Sequence, residues 1–511
     1  MKHKRKGPAV FKPYATNQLM ILPPSLEDFL PLNHPVRTVN EVINQIDINP
    51  LLKKFPGGGT SSYHPRLLLK VLVYAYLNNV YSSRKIETQV KESIPYMWLA
   101  GMAQPDHNTI NRFRSDRLRG VLKPVFKQIV LLLSESGLLD LKDIYVDGTK
   151  IEANSNRYTF VWGNSLKTNK ERIKKQLDEL WEYAQGIAKQ ELEDTRPTEY
   201  SQISAEKVKQ TIEKIDKALQ DKPVKKKVRQ KLNYAKKAWI SSLEKYQQQE
   251  AILKGRKSFS KTDPDATFMR MKEDHMRNGQ LRPGYNLQLS TNNQIITNYT
   301  IHPNPSDTLT LIPHLEDYKQ LYGHMPQVIT ADAGYGSQQN FEYLEQQSIE
   351  HYVKYNTFDK QAIKGKQNLF DIHNLFYNSE LDCYYCPMGQ PMKKVGQKEK
   401  ITRAGFTQTL DVYEAVNCNN CPLRALCHKA KGNRRIEANH RLNVLREKVK
   451  ERLLSEKGIM HRKKRPIDVE PVFGNIKSNY GFKRFNLRGN QKVEIEMGLI
   501  AIAQNLRKMA S

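Results

Sequence analysis

Apolar positions three and four apart predict helices through the first part of the chain. Val36 to Ile46 form a short amphipathic stretch, bounded by Pro23-Pro24 before it and Gly57-Gly58-Gly59 after it. Pro65 precedes an apolar run from Leu67 to Leu77. Ser82 or Ser83 suits the cap of a helix reaching about Ile94, and Asp106 the cap of another through Leu118. In that last segment Ile110, Phe113 and Leu118 can face a core, which leaves Asn108, Asn111, Arg112 and Ser115 on the other side. A short helix after a turn, with Asn and Arg on its outer face, is what a helix-turn-helix reader of DNA requires.

From Asp143 the period shortens. Ile-Tyr-Val before Asp147 predicts a strand ending in an acid and a glycine. Tyr285 to Ser290 and Ile295 to Ile301 predict a hairpin, and Asp307 starts a helix to about Leu321. Gln327 to Asp332 predicts a fourth strand running into Gly334-Tyr335-Gly336 and a further helix, and His351 to Val353 a fifth strand. Strands first in hairpin order and then alternating with helices predict a mixed α/β sheet.

Two stretches interrupt this pattern. Residues 165–258 carry heptad-like spacing in three runs: Ile173, Leu177, Leu180, Ala184, Ile187; Val208, Ile212, Ile215, Leu219; and Val228, Leu232, Ala235, Trp239. Pro197 and Pro223 separate them, so an antiparallel coiled-coil hairpin or a three-helix arm is expected. Lys222 to Lys237 holds eight Lys or Arg and no acid, a candidate nucleic-acid surface. The second stretch, 359–435, holds all five cysteines. Cys383-x2-Cys386 and Cys418-x2-Cys421 each present two thiols to one tetrahedral ion, so a structural zinc site is expected. Cys427 or His428 is able to replace one of the four. An odd, clustered cysteine count also points to a reducing cytosol rather than a disulfide framework.

Composition adds a partner. With 82 Lys+Arg against 53 Asp+Glu, the 511 residues carry a net charge of +29, and 39% hydrophobic residues are too many for a disordered polycation. A large folded basic chain implies a polyanion. No uncharged apolar run approaches 20 residues, and the basic N-terminus leads into Pro8 rather than an apolar segment, so neither a membrane span nor a signal peptide is expected.

Against so many acids, position selects three. Asp147 and Asp332 stand at strand ends, and Glu470 lies in Val469-Glu470-Pro471-Val472-Phe473, on a helix whose apolar stripe continues to Ile476 and Tyr480. Asp468 suits the cap of that helix, and Lys477 lies two turns beyond Glu470 on the same face. Two strand-end aspartates and a helical glutamate suit a pair of Mg²⁺ ions, which bind hard oxygen ligands and serve in-line displacement at phosphorus. Asp468, Glu494 and Glu496 are the alternatives for the third position.

The segments Ile-Tyr-Val-Asp147-Gly-Thr-Lys-Ile-Glu-Ala, Val-Ile-Thr-Ala-Asp332-Ala-Gly-Tyr-Gly-Ser and Val-Glu470-Pro-Val-Phe-Gly-Asn-Ile-Lys477 resemble, in order, the three motifs of DDE transposases from bacterial insertion sequences. Gly481-Phe-Lys-Arg-Phe, Gln504-Asn505-Leu506, Ser260-Lys-Thr-Asp263-Pro-Asp265-Ala and Pro305-Ser-Asp307 are similar too. So are the N-terminal helical segments His64-Pro-Arg-Leu-Leu-Leu-Lys and Asp106-His-Asn-Thr-Ile-Asn-Arg-Phe-Arg. The resemblance implies an RNase H-like catalytic core, with Asp147, Asp332 and Glu470 holding two Mg²⁺ (or Mn²⁺) ions. It implies DNA cleavage at element ends followed by strand transfer. Of the family's Tyr-x2-Arg-x3-Glu-x6-Lys signature, Glu470 and Lys477 match, while Pro466 and Lys463 occupy the Arg and Tyr slots and Arg465 lies one residue away.

The expected layout is an α/β chain in five parts. These are an N-terminal helical DNA-binding domain at 1–125; the first parts of the core at 140–164 and 259–358; the helical insert at 165–258; the cysteine-rich zinc insert at 359–435; and the C-terminal part with the Glu helix at 436–511. Expected DNA contacts are Asn108, Asn111, Arg112, Arg465, Lys477, Lys483, Arg484 and Arg488. The expected partners are double-stranded DNA, as terminal repeats and target, and a second copy of the chain in the DNA complex. The expected location is the bacterial cytoplasm, at the nucleoid. Two rival readings are an RNase H-like nuclease that never joins strands and a non-catalytic DNA-binding regulator.

Overall fold

Alternation along β1 (Asp143–Glu152) decides the architecture, because its two faces enter two different cores. Ile144 and Val146 pack with Leu311, Ile329 and Tyr352. Tyr145 and Ile151 pack with Leu69, Phe126, Leu289 and Ile500. The computed structural model describes residues 25–55, 62–189, 192, 204–271, 280–359, 369–402 and 405–510.

After the small strands β2 (Phe160–Trp162), β3 (Ser258–Ser260) and β4 (Thr267–Arg270) come β5 (Leu281–Asn292) and β6 (Ile295–His302). Later in the chain lie β7 (Val328–Ala331) and β8 (Glu350–Val353). The six-stranded sheet runs β4-β5-β1-β7-β8, and β6 shares the outer edge of β5 with β4. β5 lies antiparallel to β1, with Asp147 opposite Leu289 and Gly148 opposite Gln288. β7 is parallel to β1, with Val146 opposite Ala331, and β8 is parallel to β7. The β5–β6 hairpin closes through Asn293 and Gln294, both at positive φ (53° and 65°), which suits the right-handed twist of the strands.

β1 does not stop at its acid. It continues to Glu152 because β5 supplies partners as far as Gly284. One sheet face is covered by the helices Leu311–Tyr322, Gln338–Gln346 and His440–Leu454. The other is covered by the helix Asn490–Ala510, which is buried along most of its length between the sheet and the N-terminal helices Pro65–Leu77 and Leu122–Glu135. This mixed sheet with flanking helices is consistent with an RNase H-like domain of the DDE kind.

The insert rises from the β2–β3 pair. Its helices Gly163–Ile187, Ala205–Ala218 and Lys226–Tyr234, the last extended through a π-helical turn into Ile240–Leu253, share their own core of Leu177, Leu180, Ile212, Ile215, Leu232 and Trp239. The cysteine-bearing stretch forms an antiparallel sheet of β9 (Phe376–Asn378), β10 (Cys383–Tyr385), β11 (Pro391–Ile401), β12 (Thr407–Ala415) and β13 (Arg435–Ala438). The N-terminal basic tail, Gly57 to Gly59 and Pro197 lie outside the described residues. Among the described residues no helix is long and apolar enough to cross a membrane.

Candidate active site

Asp147 stands in mid-strand, one residue beyond the end of its β7 pairing, so it faces the gap that opens where β7 stops. Its Oδ1 accepts from the Gly148 amide at 2.8 Å. Asp332 follows β7 directly and caps the short turn Ala333–Tyr335, accepting from the Ala333 amide at 2.7 Å. Glu470 opens the helix Glu470–Gly474, whose Val472 and Phe473, with Ile476 beyond, are anchored in the core.

Arg465 joins two of these acids. Its Nη1 lies 3.4 Å from Asp147 Oδ2 and its Nη2 3.1 Å from Glu470 Oε1, and only 16% of its side chain is exposed. A single guanidinium thus holds together two carboxylates that would otherwise repel each other. Beneath them lies the fully buried Tyr335, whose hydroxyl donates to Gln288 Oε1. Burial, then the charges of Asp307, Asp147 and Asp332, hold that hydroxyl well above its ordinary pKa, with Arg465 opposing. The phenol is therefore a neutral donor, and both aspartates, Arg465 and a further carboxylate, Asp307, all act on it. Among the described residues no group of three or more His, Cys, Asp or Glu is arranged to hold a metal ion.

The other acids near the motif have structural partners. Asp468 ends the helix Glu456–Asp468 rather than capping the next one. Its carboxylate accepts from Thr291 Oγ1 at 2.6 Å and the Asn293 amide at 2.8 Å, which clasps the β5–β6 turn. Glu496 is buried and accepts from the amides of Asn486 and Leu487. Glu494 lies against Lys123 and Asp317, and burial raises its pKa. Asp263 and Asp265 receive the amides of Gly489 and Asn490, tying the β3–β4 loop to the start of the last helix.

The basic and amide residues divide into three groups. Asn108, Asn111 and Arg112 are exposed on the helix His107–Arg112, and Asn111 also accepts from the buried Arg114 at 3.2 Å. Lys483, Arg484 and Arg488 are exposed at the far end of β1, where Arg484 and Arg488 donate to the backbone of Ser155 and Asn154. Lys477 is only 8% exposed. It lies in the π-helical turn Asn475–Asn479, which continues the helix that Glu470 opens.

The cysteines separate differently from their sequence spacing. Cys386, Cys418, Cys421 and Cys427 line one cavity of about 20 Å³, together with His428 and Arg434. Arg434 donates to Cys427 Sγ at 3.0 Å, and its backbone amide to Cys418 Sγ at 3.4 Å. Cys383 is buried in β10, paired across to Asn378 and Lys393, and does not line this cavity.

Residues 24–116 match the family described as Transposase domain (DUF772), and residues 385–510 match the Transposase DDE domain. No curated protein and no solved structure matches the chain. The DDE match takes in Arg465, Glu470 and the cavity-lining cysteines, while both aspartates precede it. The mixed α/β sheet and its flanking helices are consistent with a DDE-type domain. The two matches support a DDE-type insertion-sequence transposase, and the DDE domain family indicates a metal-dependent enzyme that cleaves and transfers DNA.

Three participants were not singled out from the sequence: Gln288, Tyr335 and the central place of Arg465. Asp307 was visible as a helix start and as part of the Pro-Ser-Asp resemblance. For Arg465 the signal was its one-residue offset from the family's arginine slot.

Proposed function

We propose that the chain binds the terminal repeats of its own element, cuts the DNA there and joins the freed 3′ ends to target DNA. Asp147, Asp332 and Glu470 would hold two Mg²⁺ ions, with Asp147 on the central strand shared between them. Bound there, the ions would activate the attacking oxygen and stabilise the leaving one. The observation that carries this reading is the Arg465 bridge between Asp147 and Glu470, beside the turn that Asp332 caps. Arg465 offsets the repulsion of the acids, and Tyr335 and Gln288 hold the floor beneath them.

Asn108, Asn111 and Arg112, with Lys483, Arg484 and Arg488, would meet phosphates and bases, and binding would weaken steeply with salt. The face of Lys222 to Lys237 is partly neutralised by pairs such as Lys231–Glu179 at 2.8 Å, and its remaining cations would add to this attraction. Arg465 would reach DNA only at the cut site, and Lys477 would act from inside its turn rather than on an open surface. Coordinating two ends calls for two copies of the chain, and its place of work would be the bacterial nucleoid. A structural Zn²⁺ is the second proposed cofactor. Cys386, Cys418, Cys421 and Cys427 are the ligand set supported by the shared cavity, and the donors of Arg434 would stabilise two of the thiolates.

Cleavage of end-bearing duplex in Mg²⁺ tests the reading. Asp147→Asn, Asp332→Asn and Glu470→Gln should each lower the rate by about a hundredfold or more, since even the partner behind a metal ligand is commonly worth 10–100-fold. Binding to the ends should persist. Unchanged cleavage by Asp147→Asn would remove the triad, and cutting without joined products would leave a nuclease.

A further inference from the structure

We propose that Asp307 is a positioning residue for the two catalytic aspartates, acting on them from the opposite face of the sheet. This rests on the active-site reading above. Asp307 opens the turn Asp307–Leu309 between β6 and the helix Leu311–Tyr322. Its Oδ1 accepts from Asn286 Nδ2 at 2.8 Å and from Gln288 Nε2 at 3.1 Å. Asn286 and Gln288 are two apart on β5 and so share a face.

Gln288 is the cross-strand partner of Gly148. A Cβ built on Gly148 would lie 2.4 Å from Gln288 Nε2 and 2.9 Å from Asp307 Oδ1. The pair therefore fills the space that a side chain at 148 would take, and glycine is required there for close approach. Successive strand residues point to opposite faces, so this packing fixes the backbone of Asp147 without touching its carboxylate.

The same group reaches the second aspartate. Gln288 Oε1 accepts from the Tyr335 hydroxyl, and Tyr335 belongs to the turn that Asp332 caps. Thr308 Oγ1 donates to the Gly334 carbonyl at 2.8 Å. Asn340 Nδ2 donates to the carbonyls of Thr308 at 3.0 Å and Tyr335 at 2.7 Å. Residues 307 and 308 are thus tied to the residue after Asp147 and to the turn after Asp332. β1 and β7 carry the two acids on separate strands that end at different levels, and this cluster locks their offset. A misplacement of 1 Å at a reacting centre costs about 10²-fold.

The full chain and end-bearing duplex provide the test. Asp307→Ala should lower kcat by about a hundredfold and raise the Mg²⁺ concentration for half-maximal cleavage about tenfold, with DNA affinity unchanged. Mn²⁺ binding without DNA, followed by electron paramagnetic resonance, should weaken in step. Asp307→Asn keeps an oxygen able to accept both amides and should recover at least about tenfold of the lost rate. No recovery by Asn would mean that the charge itself is needed, which overturns a positioning role. So would an Asp307→Ala chain with unaltered Mg²⁺ response. If Asp307→Ala does not fold, Tyr335→Phe decides: it removes one hydroxyl, and an unchanged Mg²⁺ response would overturn the proposal. Asp147→Asn run in parallel separates the two readings, because normal cleavage there refutes the triad whatever Asp307 does.

Discussion

His302 shows how burial can dominate the chemistry of one residue. At the end of β6 its Nε2 lies 2.7 Å from the Thr300 hydroxyl. Burial, opposed by Asp317 and assisted by Lys123, brings its pKa down to about 4. Below about pH 6.5 the unfolded chain takes up a proton that the folded one refuses. Stability is therefore complete above that pH and drains away as pH falls towards 4. Thermal unfolding followed across this window should show a shallower acid loss for His302→Gln than for the wild type, and equal slopes would refute the assignment. His314 and His351, also lowered by burial, leave part of the slope in place. At this scale motif and position singled out the three acids, while Arg465 entered only as an expected DNA contact one residue off the family's arginine slot. Its role comes from a helix carrying it across to β1, a contact that no spacing encodes.

Elements were read well where periodicity was strong and less well where a neighbour overrode it. The helix Pro65–Leu77 and the hairpin strands follow the apolar pattern. β1 outran its apparent stop because Gly148, which reads as a breaker, is held in the strand by Gln288 and Asp307. Lys477 falls in a π-helical turn, a local widening that leaves no mark in the sequence. The cysteine sheet gives the clearest element-scale prediction. C-x2-C spacing favoured Cys383, but that residue is buried in β10 and does not line the cavity that Cys427 reaches from the short helix Arg424–Cys427. Elemental analysis should find about one zinc per chain. Cys386→Ser and Cys427→Ser should lose it, and Cys383→Ser should keep it. Retention in Cys427→Ser, with loss in Cys383→Ser, would restore the spacing-based set.

At the scale of the molecule, the two matched stretches are not independent pieces. Tyr81 donates to the Tyr480 carbonyl at 2.9 Å, and Arg507 donates to the carbonyl of Leu77 and to Asn79 Oδ1. The N-terminal helices and the sheet share one core through the helix Asn490–Ala510. The expected boundary at residue 125 therefore cuts a continuous interior, although the helical pattern on its N-terminal side gave no hint of a missing cover. A fragment ending at residue 136 should lack that cover, and its circular dichroism should show no cooperative thermal transition. A sharp transition matching the full chain would mean that the helices fold alone. Helix Asn490–Ala510 also fixes an order in time. It is synthesised after both of the parts it joins, so neither has its final neighbour while the ribosome is still reading the middle of the message. A product broken off before residue 490 would leave the N-terminal helices and the sheet unjoined, so a damaged copy of the gene would yield an incomplete fold.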